Sequence, residues 1–299
     1  MKTQRYANSN ELVSRAVVRS CRFYVSLRPK NPPLMVEVVL VTGASSGVGE
    51  AVTPLLAGSG YRVYSLSRRP VHFRKVTHLQ CDISDAAATK KAVAELIAAE
   101  GRLDHVIHCA GIGGAGPVEH MPTERARQIM EVNFWGTWNL CQATLPHLRA
   151  APEGKLLILT SIAGFMGIPF RSVYCASKAA MTHLVESLRL ELRHTDCQVA
   201  TVSPGDIATN AFATQYIQPA EDIDPLYQAS YRAGNEEMGN NVGSGMTAEK
   251  VAKEVYDILQ RDNLKPNYVI GNFVQSVSTV ASQVLPGRWW ERILARYYS

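Results

Sequence analysis

The chain has 299 residues, 46% of them hydrophobic and 19% charged, enough to bury a substantial core as one large domain and too apolar for general disorder. Seven Lys and Arg residues fall before Leu34 against one acid, Glu11, so the remaining 24 basic and 25 acidic residues nearly cancel; the net +5 belongs to the amino-terminal segment and argues against a nucleic-acid-binding body. The six cysteines form no Cys-x-x-Cys pair and have no His at zinc spacing, which points to no metal and a reducing, cytoplasmic setting, and no apolar run reaches the roughly 20 residues of a membrane span.

Residues 1–34 end in Pro32-Pro33 and suit a tail or a weak amphipathic helix. They read as a targeting peptide or, the preferred reading, as sequence preceding an alternative start at Met35, with the body of the protein spanning 35–299. From Met35 the chain runs into Val36-Glu-Val-Val-Leu-Val-Thr42, a β-branched strand that ends in Gly43, Gly47 and Gly49 and is followed by the apolar helical pattern of Val52, Leu55 and Leu56. Strand, tight turn and helix in that order aim unpaired backbone N–H groups and a positive dipole end at the space above the sheet edge, where a pyrophosphate fits. The spacing Gly-x-x-x-Gly-x-Gly differs from the common Gly-x-Gly-x-x-Gly, and a plain structural turn is the competing reading.

Alternation continues. Tyr61–Leu66 and Val76–Gln80 read as strands, Asp85–Ala99 as an alanine-rich helix, and Leu103–Cys109 as a strand running into the turn Ala110-Gly111-Ile112-Gly113-Gly114. Helices are expected at Arg125–Val132, Asn133–Leu148 and Val173–Arg193, with strands at Leu156–Thr160 and Gln198–Val202. Continuous Val, Leu and Ile runs alternating with helices predict an α/β fold with a doubly wound parallel sheet, in a single domain.

In such a sheet the chemistry belongs at the carboxyl ends of the strands. Ser161 directly follows the fifth predicted strand, and Tyr174 and Lys178 are four apart near the start of the next helix, on one face. An ammonium beside a phenol favours phenolate and draws a pKa of about 10 towards neutrality, at ~1.4 kcal/mol per unit. A phenol so tuned exchanges a proton with an alcohol or carbonyl oxygen, and Ser161 can hydrogen-bond that oxygen.

Taken together, Thr42-Gly43-Ala44-Ser45-Ser46-Gly47-Val48-Gly49, Asp82, Cys109-Ala110-Gly111, Asn133, Ser161, Tyr174 with Lys178, and Pro204-Gly205-Asp206-Ile207-Ala208-Thr209 resemble the short-chain dehydrogenases/reductases, from about Met35 to Gly271. The resemblance implies Tyr174 as general acid/base, Lys178 as the residue that lowers its pKa and holds the nicotinamide ribose, Ser161 as the group orienting the substrate oxygen, and Asn133 as organiser of a relay water. It also implies cofactor contacts from the glycine turn, Asp82 and Ile83 at the adenine, Ala110 and Gly111, and Pro204, Gly205, Ile207 and Thr209, the last at the carboxamide. His108 and Cys109 stand where the family often has Asn-Asn, and both are read as structural.

After the second predicted strand an acid would bind a ribose 2′-hydroxyl. Here stand Ser67, Arg68 and Arg69, so NADP(H) is expected over NAD(H), with reduction as the direction. The long segment of about 206–246 is expected to be a lid over the substrate. Its Phe212, Tyr216, Ile217, Tyr227, Tyr231 and Met238, with Ile162, Phe165, Met166, Ile168 and Phe170 after Ser161, suit a bulky apolar ketone or alcohol of steroid, retinoid or lipid type. In the tail, about 273–299, Trp289, Trp290, Ile293, Leu294, Tyr297 and Tyr298 make an apolar face with Arg288, Arg292 and Arg296 on another; a peripheral membrane enzyme is one reading, and packing against the domain or a second subunit, without firm membrane association, is the preferred one. The resemblance further implies a homodimer or homotetramer built on the helices starting near Asn133 and Val173. A non-catalytic dinucleotide sensor or scaffold on the same fold is the alternative.

Overall fold

The computed structural model describes residues 36–209 and 215–297; the segment 1–34, a start at Met35, Phe212 and Tyr298 lie outside the described residues. The unit that carries the fold begins at Glu37. At its centre are β1 (Val38–Thr42), β2 (Arg62–Ser67), β3 (Val76–Gln80), β4 (His105–His108), β5 (Lys155–Leu159), β6 (Gln198–Pro204) and β7 (Asn267–Ile270), all parallel, in the spatial order β7-β6-β5-β4-β1-β2-β3.

Alternate residues of the strands feed two apolar cores. Val38 and Leu40 of β1 join Val106, Leu156 and Ile158 beneath α2 (Ala86–Glu100), α4 (Gly136–Ala150) and α5 (Ser172–Glu191). Val39 and Val41 join Ile107, Leu157 and Val202 beneath α1 (Gly47–Gly58) and α7 (Ala248–Leu259). Helices on both faces make this a doubly wound sheet. Helix ends follow local chemistry: the Asp85 carboxylate accepts from the Ala88 N–H at 2.9 Å, and Gly101 takes φ 71° past the end of α2.

Strand order reverses between β1 and β4, so their carboxyl ends diverge to either side of one crevice. Helix α3 (Thr123–Met130) continues into α4 through a π-turn at Glu131–Trp135, where the Gly136 N–H reaches the Glu131 carbonyl. The slip of one residue lets Asn133 face inward, fully buried, between two otherwise regular helices.

The carboxyl-terminal third carries more structure than the sequence reading places there. Helix α6 (Pro225–Gly243) spans the expected lid, and α8 (Phe273–Val284) and α9 (Gly287–Tyr297) follow β7. Within α6 only Tyr231 is buried, so the helix lacks an apolar stripe. Its available signals are the Asp224 cap, whose carboxylate accepts from the Leu226 N–H at 2.8 Å, and Pro225 at the first position. Among the described residues no helix is long and apolar enough to cross a membrane, and no cluster of His, Cys, Asp and Glu could hold a metal ion.

Candidate active site

Two clefts share a border above the carboxyl edge of the sheet. The smaller, about 280 Å³, lies over the ends of β1, β2 and β4; the larger, about 610 Å³, opens over β5 and β6 and is roofed by α6, α8 and α9. Ser46, Gly111, Ile112, Gly113 and Gln215 line both. Every site residue expected from the sequence lines one cleft or the other, except Gly49 and Asn133.

Those two act from beneath. A Cβ on Gly49 would sit 2.4 Å from the Gly43 carbonyl oxygen, so the first turn of α1 packs on the glycine loop backbone to backbone. Gly43 itself takes φ +68° and lies so near the end of β4 that a Cβ would meet the Ala110 nitrogen at 2.7 Å. Only glycine permits both contacts. The resulting cradle, with backbone N–H groups at the start of α1 and no side chains filling it, fits a dinucleotide pyrophosphate.

Asn133 accepts from the Ile112 N–H at 2.8 Å and donates to the Ile112 carbonyl at 2.9 Å and to Ser177 Oγ at 2.9 Å. Its amide therefore braces the loop after β4, and these contacts employ both ends of a group expected to organise water. His108, at the end of β4, braces the strand against its neighbours: its ring nitrogens lie 2.7 Å from Thr42 Oγ1 and 2.9 Å from Thr137 Oγ1. Burial pushes its pKa down to about 3, so it is a neutral strut. Cys109 is likewise no nucleophile, because burial raises its thiol to about 12.

Ser161, Tyr174 and Lys178 come together at the floor of the larger cleft. Ser161 accepts from the Ala163 N–H at 3.1 Å, which fixes its rotamer, and its side chain hydrogen-bonds Tyr174. Lys178 is buried; its Nζ donates to the Leu159 carbonyl at 3.1 Å and stands 5.9 Å from the Tyr174 ring centroid. The expected depression of the phenol is not what the protein alone produces. Burial raises Tyr174 above its ordinary value, opposed by the Ser161 hydrogen bond, while burial lowers Lys178 to about 8. Desolvation is the leading influence on both groups, and the Lys178 ammonium spends a hydrogen bond on the Leu159 carbonyl.

At the outer edge of the smaller cleft no acid follows β2. The Arg69 guanidinium donates to the Ser45 carbonyl at 3.0 Å, tying the end of β2 to the glycine loop, and the Ser67 hydroxyl donates to the Arg69 carbonyl at 2.7 Å. Arg68 is exposed beside it. Asp82 Oδ1 accepts from the Ser84 N–H at 3.0 Å and hydroxyl at 2.7 Å, shaping the turn after β3.

The larger cleft takes a lining that sequence reasoning only half anticipates. Met166, Ile168 and Met238 are there, but Phe170 packs on Tyr231 and Tyr227 outside it. The rest of the apolar wall comes from the tail: Val274, Val277 and Ala281 of α8, and Trp290, Ile293 and Leu294 of α9. Gln275 holds this wall in place, donating to Asp206 at 2.8 Å while capping α8 through Asn272. Packing against the domain thus accounts for one face of the tail. Arg171 is buried on the cleft wall, donating to Gln215 at 2.9 Å and Asn235 at 3.2 Å.

A protein-family model described as short chain dehydrogenase matches residues 37–219. The 3-ketodihydrosphingosine reductase of Bacteroides thetaiotaomicron is 31% identical over 264 residues, covering 88% of this chain and 98% of that protein. Among solved structures, a short chain dehydrogenase/reductase from Burkholderia phymatum in complex with NAD superposes with a TM-score of 0.71 at 19% identity over 88% of this chain and 96% of its own. One from Burkholderia cenocepacia in complex with NADP gives 0.67 at 23%, over 88% and 97%.

Proposed function

This chain belongs to the short-chain dehydrogenase/reductase family and is an oxidoreductase of CH–OH or C=O groups that uses a nicotinamide dinucleotide; from that premise we propose that it reduces a bulky apolar ketone with NADPH. The observation that carries the substrate half is the larger cleft: about 610 Å³ walled by Met, Ile, Val and Trp side chains, with Ser161 and Tyr174 at one polar end. A cavity of that size and lining suits a steroid-, retinoid- or lipid-like molecule better than a sugar phosphate or short hydroxy acid. The name of the Bacteroides relative, 3-ketodihydrosphingosine reductase, supports the same class.

A nicotinamide dinucleotide held by the glycine turn, Gly111, Lys178 and Thr209 would supply hydride to the carbonyl carbon. Tyr174 donates its phenolic proton to the oxygen, Ser161 orients and stabilises that oxygen, Lys178 holds the positive field behind them, and Asn133 fixes the loop on which Gly111 approaches the reacting centre. A phenol whose pKa is raised by burial stays protonated at neutral pH. The protonated phenol is the form that donates in the reductive direction. Arg68 and Arg69, with no acid to repel a 2′-phosphate, support NADP(H) over NAD(H), although NAD(H) is accommodated by the same glycine cradle. Five described cysteines, all free and none fully exposed, support a reducing, cytoplasmic setting.

An NADPH-consumption screen spanning steroid, long-chain acyl and aromatic ketones alongside small polar carbonyls tests the reading. Preference for the apolar set is expected. Higher kcat/KM for the small polar set would overturn it.

A further inference from the structure

We propose that α8 and α9 form a docking face for an anionic lipid surface, into which the larger cleft opens. The two helices divide their side chains between the cleft and the outside. Phe273, Val277, Val280 and Val284 recur at three- and four-residue spacing, which puts them on one stripe of α8, and all are exposed, Phe273 and Val284 at 82% and 71%. Thr279, on the opposite side, is buried. On α9, Trp289, Ile293 and Tyr297 form a second exposed stripe, while Trp290 and Leu294 turn inward.

Charge selects the occupant. Arg288, Arg292 and Arg296 follow the same four-residue spacing as Trp289, Ile293 and Tyr297 and flank that stripe; Glu291 is the one acid in the two helices, and α8 carries no charge. An apolar stripe bordered by arginines, with an indole at its edge, is the pattern of a helix lying in a membrane interface, arginines reaching the phosphates. A second copy of this chain would have to bring acids to that border or bury three guanidiniums against each other.

Continuity with the cleft supplies the function. Phe273, Val277, Ile293 and Tyr297 are exposed and also line the larger cleft, so the rim of the cavity and the docking face are made of the same side chains. An apolar ketone can then pass from lipid to Tyr174 without crossing water. This last step rests on the proposed substrate class; the docking itself does not.

The test is co-sedimentation of the full chain with vesicles of phosphatidylcholine, with and without about one third phosphatidylglycerol. Two double variants lie outside the cleft lining: Val280→Asp with Val284→Asp, and Arg288→Glu with Arg292→Glu. The wild type is expected to bind anionic vesicles and to release at high salt. The Asp pair should lower partitioning at least about tenfold on either vesicle, and the Glu pair should remove the preference for phosphatidylglycerol. NADPH oxidation with a small water-soluble ketone should be unchanged in both, which shows that the variants fold. Partitioning equal in wild type and variants, no binding of the wild type, or loss of self-association in the Asp pair without vesicle binding would each overturn the proposal. Vesicle binding without turnover of any apolar ketone would reject the substrate reading and leave the docking face standing.

Discussion

The glycine turn offers a comparison in which two alanines, two residues apart, fail for different reasons. At Gly47 the backbone is left-handed, φ +57°, but an added Cβ would meet only the Thr209 side chain, at 3.6 Å or more. Strain then costs about 1 kcal/mol, the penalty of a non-glycine residue in that region. At Gly49 the backbone is unstrained, yet the Cβ would lie 2.4 Å from the Gly43 oxygen and 2.8 Å from its carbonyl carbon. Both partners are main chain, so α1 and the loop must separate by at least about 0.6 Å to restore a tolerable contact, at a cost of ~2–3 kcal/mol. The loop that moves is the cradle itself. If a displacement of about 1 Å costs ~100-fold where geometry matters, roughly half that displacement costs about tenfold. Urea unfolding of the cofactor-free protein and NADPH fluorescence titration measure the two effects separately. Gly49→Ala is expected to be the more destabilised and to bind NADPH at least about tenfold more weakly. Wild-type affinity in Gly49→Ala, or greater destabilisation in Gly47→Ala, would refute the packing argument.

Tyr174→Phe should bind NADPH as the wild type does and turn over at least ~100-fold more slowly, since the positioned acid is lost while the ring is kept; single-turnover kinetics decide it. Arg68→Ala should lose kcat/KM for NADPH by about tenfold with NADH unchanged, as expected for a charge-assisted phosphate contact; equal losses for both cofactors would reject the 2′-phosphate reading. Lys178 has a folded pKa of about 8 against 10.5 unfolded, so between those values the unfolded chain binds more protons and stability rises with pH. Because Cys109 and Cys141 oppose this by holding their protons to about 12, the quantity to measure is the difference in unfolding free energy between wild type and Lys178→Met. It should move in the wild type's favour by up to ~3 kcal/mol from pH 7.5 to pH 10.5, and a flat difference would contradict the desolvated lysine. Trp135, Trp138 and Leu190, exposed on the π-turn, α4 and α5, suit the expected homodimer or homotetramer; sedimentation at micromolar concentration should show a species larger than the monomer, reduced by Trp138→Glu.

The sheet was legible because its inner strands are short apolar runs closed by turn residues, and burial on both faces demands that composition; the edge strand β3, only partly buried, was legible from its alternation and its place between turns. β7 was not: Asn267–Ile270 is four residues between Pro266 and Gly271, too short to show a period. Helix α6 escaped for the opposite reason. Its length is ample, but with Tyr231 alone buried it has no face to advertise, and its glycines, Gly234, Gly239 and Gly243, read as loop. Helices α8 and α9 show clear periodicity, yet periodicity cannot say which of two apolar stripes meets protein. Only the fold distinguishes Trp290, turned to the cleft, from Trp289, turned away.

The residues proposed for the site could be named from the sequence, but the electrostatics of the protein alone could not. Placement follows from topology: a residue after a parallel strand reaches the carboxyl edge, so Gly43, Asp82, Gly111, Ser161 and Pro204 converge there from strands far apart in sequence. Field strength does not follow from spacing. Four residues on a helix put Lys178 beside Tyr174, but where the ammonium points depends on the Leu159 carbonyl, a neighbour that the helix sequence does not contain. With the charge spent on that carbonyl, burial decides both groups, and it drives the phenol up and the ammonium down. Burial thus keeps the phenol protonated at neutral pH and lets the ammonium lose its proton, and its charge, at mildly alkaline pH. Removing the Ser161 hydroxyl should push Tyr174 higher still, since that hydrogen bond is the leading influence lowering it.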